Sequence, residues 1–300
     1  MPKAIKWIGI VSGGLIGLVL IAAVGLYARA ELKLGKTYAV QAEPISVPTD
    51  AEAIHRGEHW VSVYCMGCHG EDLSGVAVFD DPALGSVAAP NLTPGQGGAG
   101  SEFADHDWVL AIRHGVDPHE MRGLLIMPAE SLYYLSDRDL GDMIAYLKTV
   151  RPVDREWPEP EFTPMARILL GLGAFGEVIP AEMVDHAAPR PAAVEAGVNE
   201  AYAEYLAKAG GCLSCHGAEL SGGKSPDPAA PPAPNLTPGG KLGGWSETDF
   251  ITAMRTGATP GGGQMTAFMP WKDTANMTDE ELRALWMYLV ALPALDSAVK

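Results

Sequence analysis

Two stretches decide the reading of this chain: Cys65-Met66-Gly67-Cys68-His69 and Cys212-Leu213-Ser214-Cys215-His216. They are copies of one pattern and use all 4 cysteines of the 300 residues. No thiol is left for a disulfide framework, a further metal site or a catalytic nucleophile. Outward from each copy, other landmarks recur in the same order. Pro90-Asn91-Leu92-Thr93-Pro94 matches Pro234-Asn235-Leu236-Thr237-Pro238, and Ala111-Ile112-Arg113-His114-Gly115 matches Ala253-Met254-Arg255-Thr256-Gly257. Met127-Pro128 matches Met269-Pro270, and Leu135-Ser136-Asp137 matches Met277-Thr278-Asp279. A fixed order at near-constant spacing marks a duplicated domain.

The duplication predicts domains over 49–152 and 198–300, joined by a Pro-rich connector, 153–197. Its Trp157-Pro158-Glu159-Pro160-Glu161 reads as a stiff spacer. The apolar run 168–176 inside it is too short to span a bilayer. It predicts a helix packed on a domain face, or an interfacial segment touching lipid.

The pattern within each copy is helical. Helices are expected over 51–64 and 200–209, over 101–114 and 246–256, and over 136–150 and 278–292. Asp105 or Asp107 and Ser246 are candidate caps, and Thr278-Asp279-Glu280-Glu281 has the form of a capping box. Leu140, Ile144 and Leu147, like Leu282, Leu285 and Leu289, recur at helical spacing and should face a core. No run argues for a sheet.

Residues 7–28 carry no charge. As a helix they would measure about 33 Å, enough to cross a hydrocarbon core of about 30 Å. Residues 1–30 therefore read as a transmembrane anchor and 31–48 as a linker. Lys3 and Lys6 precede the run, which places the N-terminus inside and exports the remainder. The competing reading is a cleaved signal peptide with Ala28-Arg29-Ala30 at the cut, but the apolar run exceeds the usual signal core. Both readings export the chain. The formal net charge of −16 excludes a protein that binds nucleic acid by neutralising phosphates.

Cys-x-x-Cys-His is the attachment sequence of c-type haem: each thiol can form a thioether to one vinyl, and the histidine is placed to ligate iron. A shared zinc site needs cysteine pairs much closer in sequence, and a thioredoxin-like pair needs a βαβ pattern. Two covalently bound haem c groups are therefore expected, on Cys65, Cys68 and His69 and on Cys212, Cys215 and His216. The aligned Met127 and Met269 are the candidate sixth ligands, with Met121 and Met265 as rivals. The carbonyls of Pro90 and Pro234 are placed to accept the ring N–H of the ligating histidines. Arg113 and Arg255 are candidates for the haem propionates. His55, His59, His106, His114, His119 and His186 have no counterpart in the repeat and read as structural, with His114 and His119 the two worth testing as ligands.

At these residues the chain resembles the class I cytochrome c family, present twice, and is similar to membrane-anchored dihaem cytochromes c of bacterial respiratory chains. The resemblance covers 51–150 and 199–292. It implies an all-α fold: an N-terminal transmembrane helix followed by two tandem class I cytochrome c domains. It implies Cys65, Cys68, His69 and Met127 on one haem and Cys212, Cys215, His216 and Met269 on the other. It also implies a first helix crossing the last at a small residue, Gly57 in one copy and Ala203 in the other. The function implied is electron transfer outside the cytoplasmic membrane, from a quinol-oxidising complex or dehydrogenase to a terminal oxidase or reductase. The alternative is a cytochrome subunit of a membrane-bound dehydrogenase complex. An enzyme in its own right is disfavoured: a dihaem peroxidase needs an open iron position, and a thiosulfate-oxidising relative needs a further cysteine on iron.

Overall fold

The computed structural model describes residues 3–225 and 229–298. The outermost ends of the expected segments 1–30 and 198–300, and residues 226–228, lie outside the described residues. Helix α1 spans Lys3–Leu34, and its Ile5–Leu34 stretch is long and apolar enough to cross a membrane.

The first repeat begins with α2 (Ala51–Tyr64), where the Asp50 side chain accepts from the Ala53 N–H at 2.9 Å. A turn leads straight into α3 (Met66–His69), so the attachment motif is itself a short helix. After strands β1 (Val76–Asp81) and β2 (Gly85–Ala89) come α4 (Asp105–His114), α5 (Ala129–Leu132) and α6 (Asp137–Leu147). Then follow β3 (Glu161–Phe162) and α7 (Pro164–Leu172). The second repeat has α8 (Glu200–Ala209), α9 (Cys212–His216), α10 (Glu247–Thr256), strands β4 (Ala258–Thr259) and β5 (Gly263–Gln264), α11 (Trp271–Thr274) and α12 (Asp279–Ala291).

The caps follow the sequence closely. Thr278 and Glu281 close a capping box on α12, and Ser246 caps α10. Helix α4 starts later than expected, at Asp105, because residues 99–101 form a separate 3-10 turn. There the Asp107 carboxylate accepts from the Ala104 N–H at 2.8 Å.

Each first helix crosses its domain's last helix. At Gly57 the approach of α2 to α6 is so close that a Cβ would collide with the Asp142 carbonyl. In the second repeat Ala203 takes this place and is fully buried. Leu140, Ile144 and Leu147 of α6 and Leu282, Leu285 and Leu289 of α12 all face the interior, as their spacing predicts. Each such leucine stabilises by roughly 1.5–3 kcal/mol through burial.

The expectation of no sheet is corrected. β1, β2 and β3 form a small antiparallel sheet with a bulge between Ala77 and Phe79, and β4 pairs with β5. Val76 and Val78 both lie exposed on β1, so the strand buries no alternating face and leaves no period-two signal. The strands sit at the edge of a helical body and do not change its class.

The connecting segments are bound to the first domain. Tyr38 donates its N–H to the Met121 carbonyl at 2.8 Å. The Trp157 indole donates to the Ser74 carbonyl at 2.9 Å, and β3 pairs with β2. The two domains share one apolar core that runs from Trp60 and Leu147 to Leu206 and Leu289.

Candidate haem sites

The histidines are positioned before any cofactor is considered. His69 is buried, and its Nδ1 lies 2.8 Å from the Pro90 carbonyl; in the second copy His216 Nδ1 lies 2.7 Å from the Pro234 carbonyl. A carbonyl only accepts, so Nδ1 carries the proton and Nε2 keeps its lone pair. Burial lowers both imidazole pKa values, against the opposing effect of the carbonyl bond, so both rings are neutral near pH 7. A neutral imidazole with a free, oriented Nε2 has the form a metal ligand requires.

The carbonyls are held in turn by the repeated Pro-Asn-Leu-Thr-Pro loop. Asn91 and Thr93 are completely buried. The Asn91 amide donates to the Val153 carbonyl at 2.8 Å, and its Oδ1 accepts from the Thr93 N–H at 2.9 Å. Asn235 and Thr237 repeat this, with the Leu295 carbonyl as acceptor at 2.8 Å. The sequence shows this loop as a landmark; its task, tying the histidine's acceptor to the chain beyond the closing helix, requires the fold.

All four cysteines are free thiols, as thioether attachment requires. Burial pushes the Cys65 thiol up to about 12 and the Cys212 thiol to about 11, so neither is a thiolate at neutral pH. Among the described residues, no three His, Cys, Asp or Glu side chains gather as a metal site. The Trp108 indole N–H and the Tyr64 hydroxyl are buried without a protein partner. They are donors left for a group that the chain does not supply, and haem propionates are acceptors.

Met127 and Met269 are half-buried and pack against the main core. Met121 lies instead in a smaller cluster with Tyr38, Val116 and Ile179, which separates it from Met127. Met265 packs against the main core as Met269 does, so the second copy keeps its rival.

The propionate expectation for the arginines is corrected. Arg113 is fully buried; it donates to Glu43 and the Leu135 carbonyl, each at 2.9 Å, and its charge lies 2.9 Å from the Asp137 carboxylate. Arg255 bonds to the Ala275 carbonyl and to Asp279 at 2.8 Å. A carboxylate at the start of each closing helix forms an ion pair with each guanidinium. His114 is buried with both ring nitrogens engaged, by Glu43 at 2.8 Å and His186 at 3.0 Å, so it is structural. His119 is exposed, 3.8 Å from Glu102.

Sequence reasoning missed how the two sites face each other. Ser131 of α5 lies 3.0 Å from Ser214 inside the second attachment motif. At the matching place, the Asp273 carboxylate of α11 covers Gly67 inside the first. Each motif thus rests on the short helix that follows the other domain's Met-Pro. The Tyr205 hydroxyl donates to Asp139 at 2.6 Å, and His59 Nε2 lies 2.8 Å from Glu281. His59 and Tyr205 sit two residues past the crossing residues Gly57 and Ala203, so these contacts are also a matched pair. The interface therefore has approximate two-fold character. The available signal was the pair of acids at the third position of each closing helix.

A tandem repeat with two attachment motifs, each with an oriented histidine and a methionine loop, defines a two-site haem protein. The cytochrome c family profile matches residues 54–151 and 201–293, and the chain belongs to that family. It is similar to a dihaem c-type cytochrome of Cereibacter sphaeroides, 29% identical over 77% of this chain and 83% of that protein. It is also similar to the cytochrome c subunit of a quinone alcohol dehydrogenase of Gluconobacter oxydans, at 26% identity over 93% of this chain and 61% of that one. The cytochrome subunit of a fructose dehydrogenase of Gluconobacter japonicus is 25% identical over 85% of this chain and 56% of its own length. The chain thus spans little more than half of the dehydrogenase subunits. It carries two covalently bound haem c groups and transfers electrons.

Proposed function

We propose that the chain is a membrane-held relay in which an electron passes between two haems across the matched interface. Cys65 and Cys68 would hold the first haem by thioethers, with His69 and Met127 on its iron. Cys212 and Cys215 would hold the second, with His216 and Met269 on its iron. The haem supplies a one-electron couple, and the thioether ligand favours the ferrous state. The protein orients the ring nitrogens through Pro90 and Pro234 and packs the sites in an apolar core. The domains are taken as 49–152 and 198–300, with 1–30 as anchor, 31–48 as linker and 153–197 as connector. The haem domains would lie on the periplasmic or external side of the cytoplasmic membrane.

The reciprocal seating of each attachment motif on the other domain's methionine-side helix carries this reading. Those contacts, Ser131 on Ser214 and Asp273 on Gly67, support two haems lying close across one interface. The donor would be a quinol-oxidising complex or a dehydrogenase, and the acceptor an oxidase or reductase. The second reading, a cytochrome subunit of a membrane dehydrogenase, is favoured by the relatives' names. Purification from native membranes separates them. A stoichiometric dehydrogenase subunit supports the second; isolation alone, with reduction by a quinol-oxidising complex, supports the first. Failure of one haem to reduce the other in single-turnover mixing would defeat the relay.

A further inference from the structure

Helix α7 has no polar side. Arg167 is the one charged residue in Pro164–Leu172, yet Pro164, Met165 and Leu172 are exposed. Ala166, Leu170 and Gly171 are buried, while Met165 and Leu172 are 56% and 64% exposed. Among the described residues these are the most exposed large apolar side chains outside α1. With half-buried Ile168 and Leu169 they form a stripe at i, i+3, i+4 and i+7, opposite the covered face. A helix that is apolar all round normally lies inside a protein or in a membrane.

The covered face shows where that stripe lies. Gly171 packs so closely on α1 that a Cβ would collide with the Leu26 carbonyl. Arg167 bonds to Glu31 and the Phe162 carbonyl and lies 5.8 Å over the Tyr27 ring. Lys33 pairs with Glu177 at 2.9 Å. The contact is therefore at the external end of the uncharged stretch 7–28, where the bilayer gives way to headgroups. Tyr27 suits that boundary, where aromatic rings collect. Arg167 lies beside Glu31 and Gly171 beside Leu26, so α7 descends toward the bilayer and Leu172 is its deeper end. Nine residues make about 13 Å of helix, too short to span.

We propose that α7 is a second membrane contact: its Met165–Ile168–Leu169–Leu172 stripe inserts into the outer acyl–headgroup boundary beside α1 and fixes the height of the haem domains over the lipid. The occupant is lipid because the stripe continues the surface of a helix whose own apolar face is exposed from Trp7 to Val24. The proposal rests on reading α1 as a membrane span, and the test separates the two. The full-length, haem-loaded protein is placed in phosphatidylcholine–phosphatidylglycerol vesicles with spin labels on Met165→Cys, Leu172→Cys, Leu18→Cys and Val198→Cys in turn. Collision with oxygen and with a water-soluble nickel chelate is then compared with both haems reduced. The expected oxygen-to-nickel ratio at 165 and 172 is several-fold above that at exposed Val198, and higher at 172 than at 165. A water-like ratio at both, with a bilayer ratio at Leu18, overturns the proposal and leaves the anchor intact. Exclusion of both reagents means a protein covers α7 and overturns it too. A water-like Leu18 removes the anchor and the proposal together.

Discussion

The first and second domains share landmarks, helices and expected ligands, yet they are differently clothed. The first is wrapped: the 35–48 segment, the β3 strand and residues 178–181 all lie against it. The Ile126 N–H donates to the Val178 carbonyl at 2.9 Å, and Ile179 packs over Gly123, so the backbone of the loop before Met127 is held in part, although the Ile126 side chain stays exposed. In the loop before Met269, Thr266, Ala267 and Phe268 are all exposed. The first domain also contains a net of buried Arg113 and His114 with half-buried Glu43 and Asp137 that the second lacks, where Thr256 replaces His114. Two sites with the same proposed ligands can thus be made unequal by what surrounds them, since burial and hydrogen bonding tune a metal's potential beyond its ligands.

The crossing helices offer the largest perturbation. Gly57→Leu should unfold the first domain, at a cost of about 4 kcal/mol or more, because a side chain there meets the Asp142 backbone. Ala203→Gly at the matching crossing should cost only about 1 kcal/mol. Thermal unfolding followed by helical circular dichroism checks both, and equal losses would break the contrast. Next comes ligation. Met127→His and Met269→His should each lower one midpoint by on the order of 0.1–0.2 V, within the roughly 0.8 V that axial ligands command. Redox titration of each variant decides this, and unchanged midpoints for Met269→His would turn attention to Met265.

The interface comes third. Burial alone would raise the Glu281 pKa, but the bonds from His59 and Thr278 lower it below the ordinary carboxylate value. Glu281→Gln, which weakens the hydrogen bonds that a charged carboxylate accepts, should loosen the domains by about 2 kcal/mol, whereas Tyr205→Phe at the matched contact should cost nearer 1 kcal/mol. Limited proteolysis of the 191–199 segment ranks the two; the reverse order would show the interface is not balanced as described.

Acid separates the domains by a smaller effect. Burial opposes ionisation of Glu43, but bonds from His114 and its own backbone, with the Arg113 charge, hold its pKa at about 2. A depressed carboxylate pKa stabilises above its ordinary value and loses that contribution as pH falls toward the folded one. The first domain should therefore weaken between about pH 4.5 and pH 2. Glu43→Gln should flatten that slope in an acid titration and leave the second domain's unchanged.

Much of this was legible in local chemistry. The attachment motifs, the capping box of α12 and the leucine spacings are statements about neighbours in the chain. The carbonyls of Pro90 and Pro234 were legible because the repeat aligns them. The propionate role expected for Arg113 and Arg255 failed because their partners, Asp137 and Asp279, lie a helix away. The β1–β2 hairpin escaped because it buries no face.

The sequence by itself determined the two haem-binding units, their helical class and the apolar first helix, since each rests on residue types at short, repeating intervals. Only the tertiary structure decided that His59 meets Glu281, that Tyr205 meets Asp139, and that each attachment motif rests on the other domain's helix. It alone decided that 178–181 packs against one methionine loop and not against the other. Those contacts join residues tens to hundreds of positions apart. They form only when two amphipathic surfaces pack together, and no local period in the chain records which surface meets which.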